Sequence, residues 1–132
     1  MDAQTAFREA GVFAVVLNVL NIHTKDATVC MSALRAIEAL ANDDTNRELL
    51  VSEGACETIM KLWNHHQKNL DLIKQCNKTI FELLKSQEAH VRLIENMGEE
   101  YGNKFIEAVN SAAAYAGARD GILSEAEETE QT

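Results

Sequence analysis

Proline is absent from the 132 residues, and only six glycines interrupt them. Ala, Leu, Glu, Lys, Asn and Ile supply most of the chain, a composition that favours helix over sheet. No apolar run approaches the roughly 18 residues of a membrane-spanning helix. The opening Met1-Asp-Ala-Gln4 has neither the basic start nor the apolar stretch of a signal peptide. Cysteine is scarce as well: Cys30, Cys56 and Cys76 form an odd set at spacings of 26 and 20. That pattern fits neither a disulfide framework nor a zinc site. Reduced core thiols in a cytoplasmic or nuclear protein are expected.

An apolar fraction of 46% over this length suffices for one domain with a real core. The formal charge of −9 argues against nucleic acid as a partner. It is unevenly spread, since residues 120–132 hold five acids and no base. Residues 61–92 lean positive through Lys61, Lys68, Lys74, Lys78, Lys85 and Arg92, a pattern expected of a solvated helix face.

One phrase recurs along the chain. Asn46-Arg-Glu-Leu-Leu-Val-Ser-Glu-Gly54 has a diluted counterpart in Thr5-Ala-Phe-Arg-Glu-Ala-Gly11 and another in His90-Val-Arg-Leu-Ile-Glu-Asn-Met-Gly98. The glycines are 43 and 44 residues apart, the period of a helical solenoid. Within each unit the pattern predicts three helices. Residues 2–10 form a short one closed by Gly11. Residues 12–22 form an almost wholly apolar second one, which must be covered on several sides. After the turn His23–Asp26 a third runs to about Ala41, with Val29, Ala33, Ala36, Ile37 and Leu40 at helical spacing. The capping-rich turn Asn42–Asn46 restarts the cycle, giving helices at 46–52, 55–64 and 70–86. Laid over each other at 44 residues, Val29 matches Ile73, Ile37 matches Phe81, Leu40 matches Leu84, and Leu49 matches Leu93.

These residues resemble an armadillo repeat, with HEAT-type repeats as the nearest relative. Arg47-Glu-Leu-Leu-Val-Ser-Glu-Gly-Ala55 is similar to the family's first-helix ending, and Ala36-Ile-Glu-Ala-Leu-Ala41 to its third-helix ending. The resemblance covers roughly residues 5–110. It implies an all-α fold: a short right-handed α-solenoid of two to two and a half repeats plus a C-terminal helical cap. Units fall near 5–41 and 45–86, with a partial, capping unit at 88–116, so the repeat domain spans 1–118. The Trp/Asn ladder by which importin-type members clamp peptide main chain is missing, its slots holding Arg35 and Ala39, then Thr79 and Leu83.

The third helices differ in one informative way. Cys30, Leu34 and Ala41 of the first become Lys74, Lys78 and Lys85 of the second. An apolar stripe that turns basic indicates a surface covered in one unit and exposed in the next, so the array ends just beyond residue 86. The Ala-rich helix 103–116, with Phe105, Ile106, Val109, Ala112, Ala113 and Ala116 on one side, is expected to cap it. Residues 119–132 are expected to be an acidic, disordered tail, with at most one helical turn at Ser124–Glu127. At the other end Val12–Leu20 has no polar cap before it. Either a preceding repeat packs there, or a partner or a second copy covers it.

No constellation points to catalysis or a cofactor. His65 and His66 adjoin and so point to different faces, unlike metal ligands at i and i+4. Asp120-Gly121 with Glu127 is a calcium-loop fragment without its other acidic ligands, and Asn77-Lys-Thr79 is a glycosylation sequon placed mid-helix. The expected function is therefore non-enzymatic: a protein-interaction module. By the resemblance, its third helices line a concave face showing Met31, Arg35, Glu38 and Asn42 from one unit and Gln75, Thr79, Glu82 and Ser86 from the next. That polar ladder would suit a protein or peptide partner. The alternative is a C-terminal capping or self-association segment of a longer scaffold.

Overall fold

In a computed structural model, the backbone is described for residues 3–131 and the side chains for residues 11–115. The described chain is all-helical, with seven helices and no strand. They are α1 (Ala3–Ile22), α2 (Ala27–Leu40), α3 (Asp44–Ser52), α4 (Ala55–His65), α5 (Leu70–Leu83), α6 (Gln87–Met97) and α7 (Glu99–Gln131).

The polar turns predicted to start helices do so through side-chain caps, which satisfy backbone N–H groups that lack intrahelical acceptors. The Asp26 carboxylate accepts from the N–H of Thr28 and of Val29 at the start of α2. Asp43 accepts from the Asn46 N–H at 2.9 Å, and Asn69 from the Leu72 N–H at 3.1 Å. Gly54 breaks the chain between α3 and α4 at φ 96°, in the left-handed region where only glycine is at ease.

The first unit departs from its expected shape. α1 runs unbroken through Gly11, so the predicted short helix with an exit at that glycine does not form. One glycine inside a helix costs only about 1 kcal/mol, and no proline enforces a stop. Asp2 lies outside the described residues. Nor is the second half of α1 covered all round: Phe13, Leu17 and Leu20 are buried, but Val12, Val15, Val19 and Ile22 face solvent.

Packing joins helices three apart in the chain. α1 lies on α4, α2 on α5 most extensively of all, and α3 on α6. The four apolar pairs found at 44-residue spacing are all buried or half-buried. α7 closes the far side, lying along α6 and against α5. Phe105 meets Trp63 of α4 edge-on with ring centroids 5.2 Å apart, and Ile106 and Val109 are buried. This is the apolar side predicted for that helix, except that Ala112 is exposed; the Ala116 side chain lies outside those described.

The C-terminal segment is not the expected coil. The backbone of α7 stays helical to Gln131, through Gly117, Gly121 and the Ser124–Glu127 stretch. Ala- and Glu-rich sequence propagates helix well, and with no proline each glycine costs only about 1 kcal/mol. The tail's acidic side chains, the Asp120–Glu127 calcium-loop fragment among them, and Thr132 lie outside those described.

Candidate partner-binding surface

The polar ladder divides into an exposed half on α2 and a sunken half on α5. Arg35 and Asn42 are exposed, while Met31 and Glu38 are half-buried. Gln75, Thr79 and Ser86 are buried, and Glu82 is half-buried. The expected open row of side chains on the second unit is thus not what forms. The reason is that α2 lies over α5, so α5 positions equivalent to open ones on α2 become interface positions.

There they join helices to one another. Gln75 Nε2 donates to Glu38 Oε2 at 3.2 Å and lies 3.3 Å from Thr79 Oγ1. Thr79 Oγ1 lies 3.2 Å from the Leu34 carbonyl oxygen and 2.9 Å from that of Gln75. Ser86 Oγ donates to Glu48 Oε2 at 3.1 Å, tying the start of α6 to α3. Buried polar groups need such partners, because an unmet one costs about 1–3 kcal/mol. Glu82 is held by Lys85 at 2.7 Å.

The expected apolar stripe that turns basic is not found, because α2 (27–40) and α5 (70–83) align at 43 residues and not 44, which sets Lys74, Lys78 and Lys85 against Met31, Arg35 and Asn42. Cys30, Leu34 and Ala41 have no exposed surface, while Lys74, Lys78 and Lys85 face solvent. Arg92, at the end of the same basic run, instead pairs with Glu88 at 3.3 Å and Glu57 at 3.6 Å.

Three fasteners of this surface escape the sequence pattern. Arg47 is buried and spreads its guanidinium over the α2–α3 turn, donating to the carbonyl oxygens of Ala41 at 3.0 Å and Asn42 at 3.4 Å and pairing with Asp44 at 2.7 Å. Helical periodicity marks an arginine as surface, so nothing in the sequence flags this role. A His66 ring nitrogen sits 2.6 Å from the Thr24 carbonyl oxygen, linking the α4–α5 turn to the α1–α2 turn. At Gly102 an added Cβ would stand 2.9 Å from Ile94 Cα, so this glycine lets α7 approach α6.

The three cysteines are free and buried. Burial pushes the Cys56 thiol up to about 12, with Glu57 adding to the effect and Arg92 opposing it. Burial, then the neighbouring Cys30, pushes Cys76 up to about 12. Cys30 is raised by burial and by Asp26, and its Sγ lies 3.5 Å from the His23 carbonyl oxygen. These are inert thiols, not nucleophiles. Among the described residues no group of three or more His, Cys, Asp or Glu side chains is gathered as metal ligands, and no helix is long and apolar enough to cross a membrane. An open hollow follows the α4–α5 turn, where His65 and His66 stack edge-on with centroids 4.8 Å apart.

Compared with protein-family models, curated proteins and solved structures, the chain matches none.

Proposed function

We propose that this chain is a non-enzymatic protein-interaction module, a short armadillo-like α-solenoid that holds a partner segment against the ridge made by α2 and α5. The stacking of helices three apart, α1 on α4, α2 on α5 and α3 on α6, supports the repeat reading. One observation carries the binding reading: the Glu38 carboxylate is held from below by Gln75 while Arg35, one turn away, is free in solvent. A fixed acid beside an open base recognises a segment of mixed charge without losing much side-chain entropy on the acidic side. Met31, Asn42 and Glu82 border the pair, and Gln75 and Thr79 act as positioning residues beneath it.

Selection of displayed peptides against the purified protein tests this. The expected result is a recurring mixed-charge peptide whose affinity drops at least about tenfold, or ~1.4 kcal/mol, on Arg35→Glu combined with Glu38→Lys. Failure to enrich any peptide, or binding indifferent to that double substitution, would remove the ridge from the account. A second reading, a terminal segment of a longer armadillo-type scaffold, draws on the exposed apolar stripe of α1.

A further inference from the structure

The exposed stripe on α1 is the largest departure from ordinary surface in the described chain. Val12, Val15, Val19 and Ile22 are 55%, 63%, 38% and 68% exposed. Their spacing is three, four, three, which lines them along one side of a helix in the manner of a coiled-coil seam. No residue between Gly11 and Ile22 is charged.

The second unit shows what such positions do when they are covered. Offset by the 43 residues between Gly11 and Gly54, Val12, Val15 and Val19 correspond to Ala55, Thr58 and Leu62. Those three α4 residues are buried, at 0%, 5% and 0% exposure. On the next helix Ser32 and Ala36 of α2 are exposed, whereas their α5 counterparts at the same offset, Gln75 and Thr79, are buried. The outer face of α1 and α2 is therefore a stacking face on which none of the described residues is stacked.

Three observations identify what covers it. The three-four-three spacing reads the same from either end, so the stripe is complementary to itself when two copies lie antiparallel. Val12 then meets the partner's Ile22, and Val15 meets the partner's Val19. A two-fold interface requires this kind of self-match. The absence of charge matters next, because a chain of net charge −9 repels its own copies nearly everywhere else. In sequence the stripe is bracketed by Arg8 and Glu9 before it and Lys25 and Asp26 after it, so each end of an antiparallel pair carries balanced charge. Finally, head-to-tail stacking is obstructed. The open side of α5 carries Lys74, Lys78 and Lys85, and α7 already lies against α5 and α6.

We infer that the α1 stripe is a homodimerisation seam, on which a second copy of this chain packs antiparallel about a two-fold axis. Four side chains make a patch of a few hundred Å², less than the roughly 800 Å² per partner of a standard stable interface. The dimer is accordingly weak and exchanges with monomer in the micromolar range or above. The seam uses none of the residues assigned to the α2–α5 ridge, so the two readings stand or fall separately.

Sedimentation equilibrium on the full chain from low micromolar to millimolar concentration tests it, with circular dichroism confirming that each variant folds. The wild type should rise from 14.6 kDa towards twice that mass. Val15→Glu with Val19→Glu places like charges across the seam and should hold the protein monomeric throughout. Val15→Lys with Val19→Glu places opposite charges across it and should restore concentration-dependent dimer. A wild type that stays monomeric would overturn the second copy as occupant. A dimer indifferent to the paired glutamates would move the interface elsewhere, and glutamate sensitivity without rescue by the charge pair would overturn the antiparallel register.

Discussion

Thr79 Oγ1 lies 3.2 Å from the carbonyl oxygen of Leu34, forty-five residues earlier in the chain. The two groups sit on α5 and α2, and the contact marks where one helix has settled over the other. It also explains why Thr79 is not available to a partner, since its hydroxyl hydrogen bonds either Leu34 or Gln75 and its oxygen receives the Gln75 amide.

Replacing that hydroxyl by a methyl group tests its contribution directly. Thr79→Val keeps the volume, leaves the Gln75 amide without one acceptor, and should lower stability by about 1–2 kcal/mol in urea unfolding. Thr79→Ser, which keeps the hydroxyl, should recover the polar part of that loss. Equal stability of Thr79→Val and wild type would show that the network contributes nothing net.

Arg47 offers a sharper contrast between a buried cation and its exposed partner. Arg47→Met preserves the stem but strips donors from the Ala41 and Asn42 carbonyl oxygens, so about 2 kcal/mol should be lost. Asp44 is 93% exposed, and Asp44→Ala should cost no more than about 1 kcal/mol. If the two substitutions cost the same, the guanidinium's value lies in the ion pair and not in the turn.

Two glycines on helices should respond to alanine in opposite directions. At Gly102 the new Cβ would meet the backbone of Ile94, pushing α7 off α6 and costing about 1–3 kcal/mol. At Gly11 nothing lies within 4 Å, and the helical backbone should gain roughly 0.5–1 kcal/mol from the same change. Paired thermal melts settle both signs.

The thiols set the alkaline limit. Cys56 and Cys76 stay protonated in the folded chain to about 12, whereas the same groups titrate near 9.0 when unfolded. Between those values the unfolded state binds fewer protons, so stability that is intact below pH 9 falls as pH rises, by up to about 1.4 kcal/mol per pH unit for each thiol. In Cys56→Ala/Cys76→Ala the slope over that window should flatten. Native protein at pH 8 should also resist a thiol reagent until denaturant is added; rapid labelling of the folded chain would contradict the burial.

Periodicity alone identified helices, turns and the repeat of apolar positions, because helical spacing and capping residues act within a few residues of each other. Asp26, Asp43 and Asn69 cap helices on that local logic. The comparison of Cys30, Leu34 and Ala41 with Lys74, Lys78 and Lys85 is one residue out of step, since α2 and α5 align at 43 residues; the lysines face solvent simply because ammonium side chains are not buried unpaired. Which polar residues would be free was another matter. Gln75, Thr79 and Ser86 have the composition of a binding surface, and only the placement of α2 over α5 and α3 beside α6 turns them inward. Likewise Gly11 and Gly54 occupy matching places in the sequence, yet one is helical and the other left-handed. Residue types determined what each segment could do on its own. Contacts between segments some forty residues apart, with free energies larger than local propensities, decided which of those options each one took.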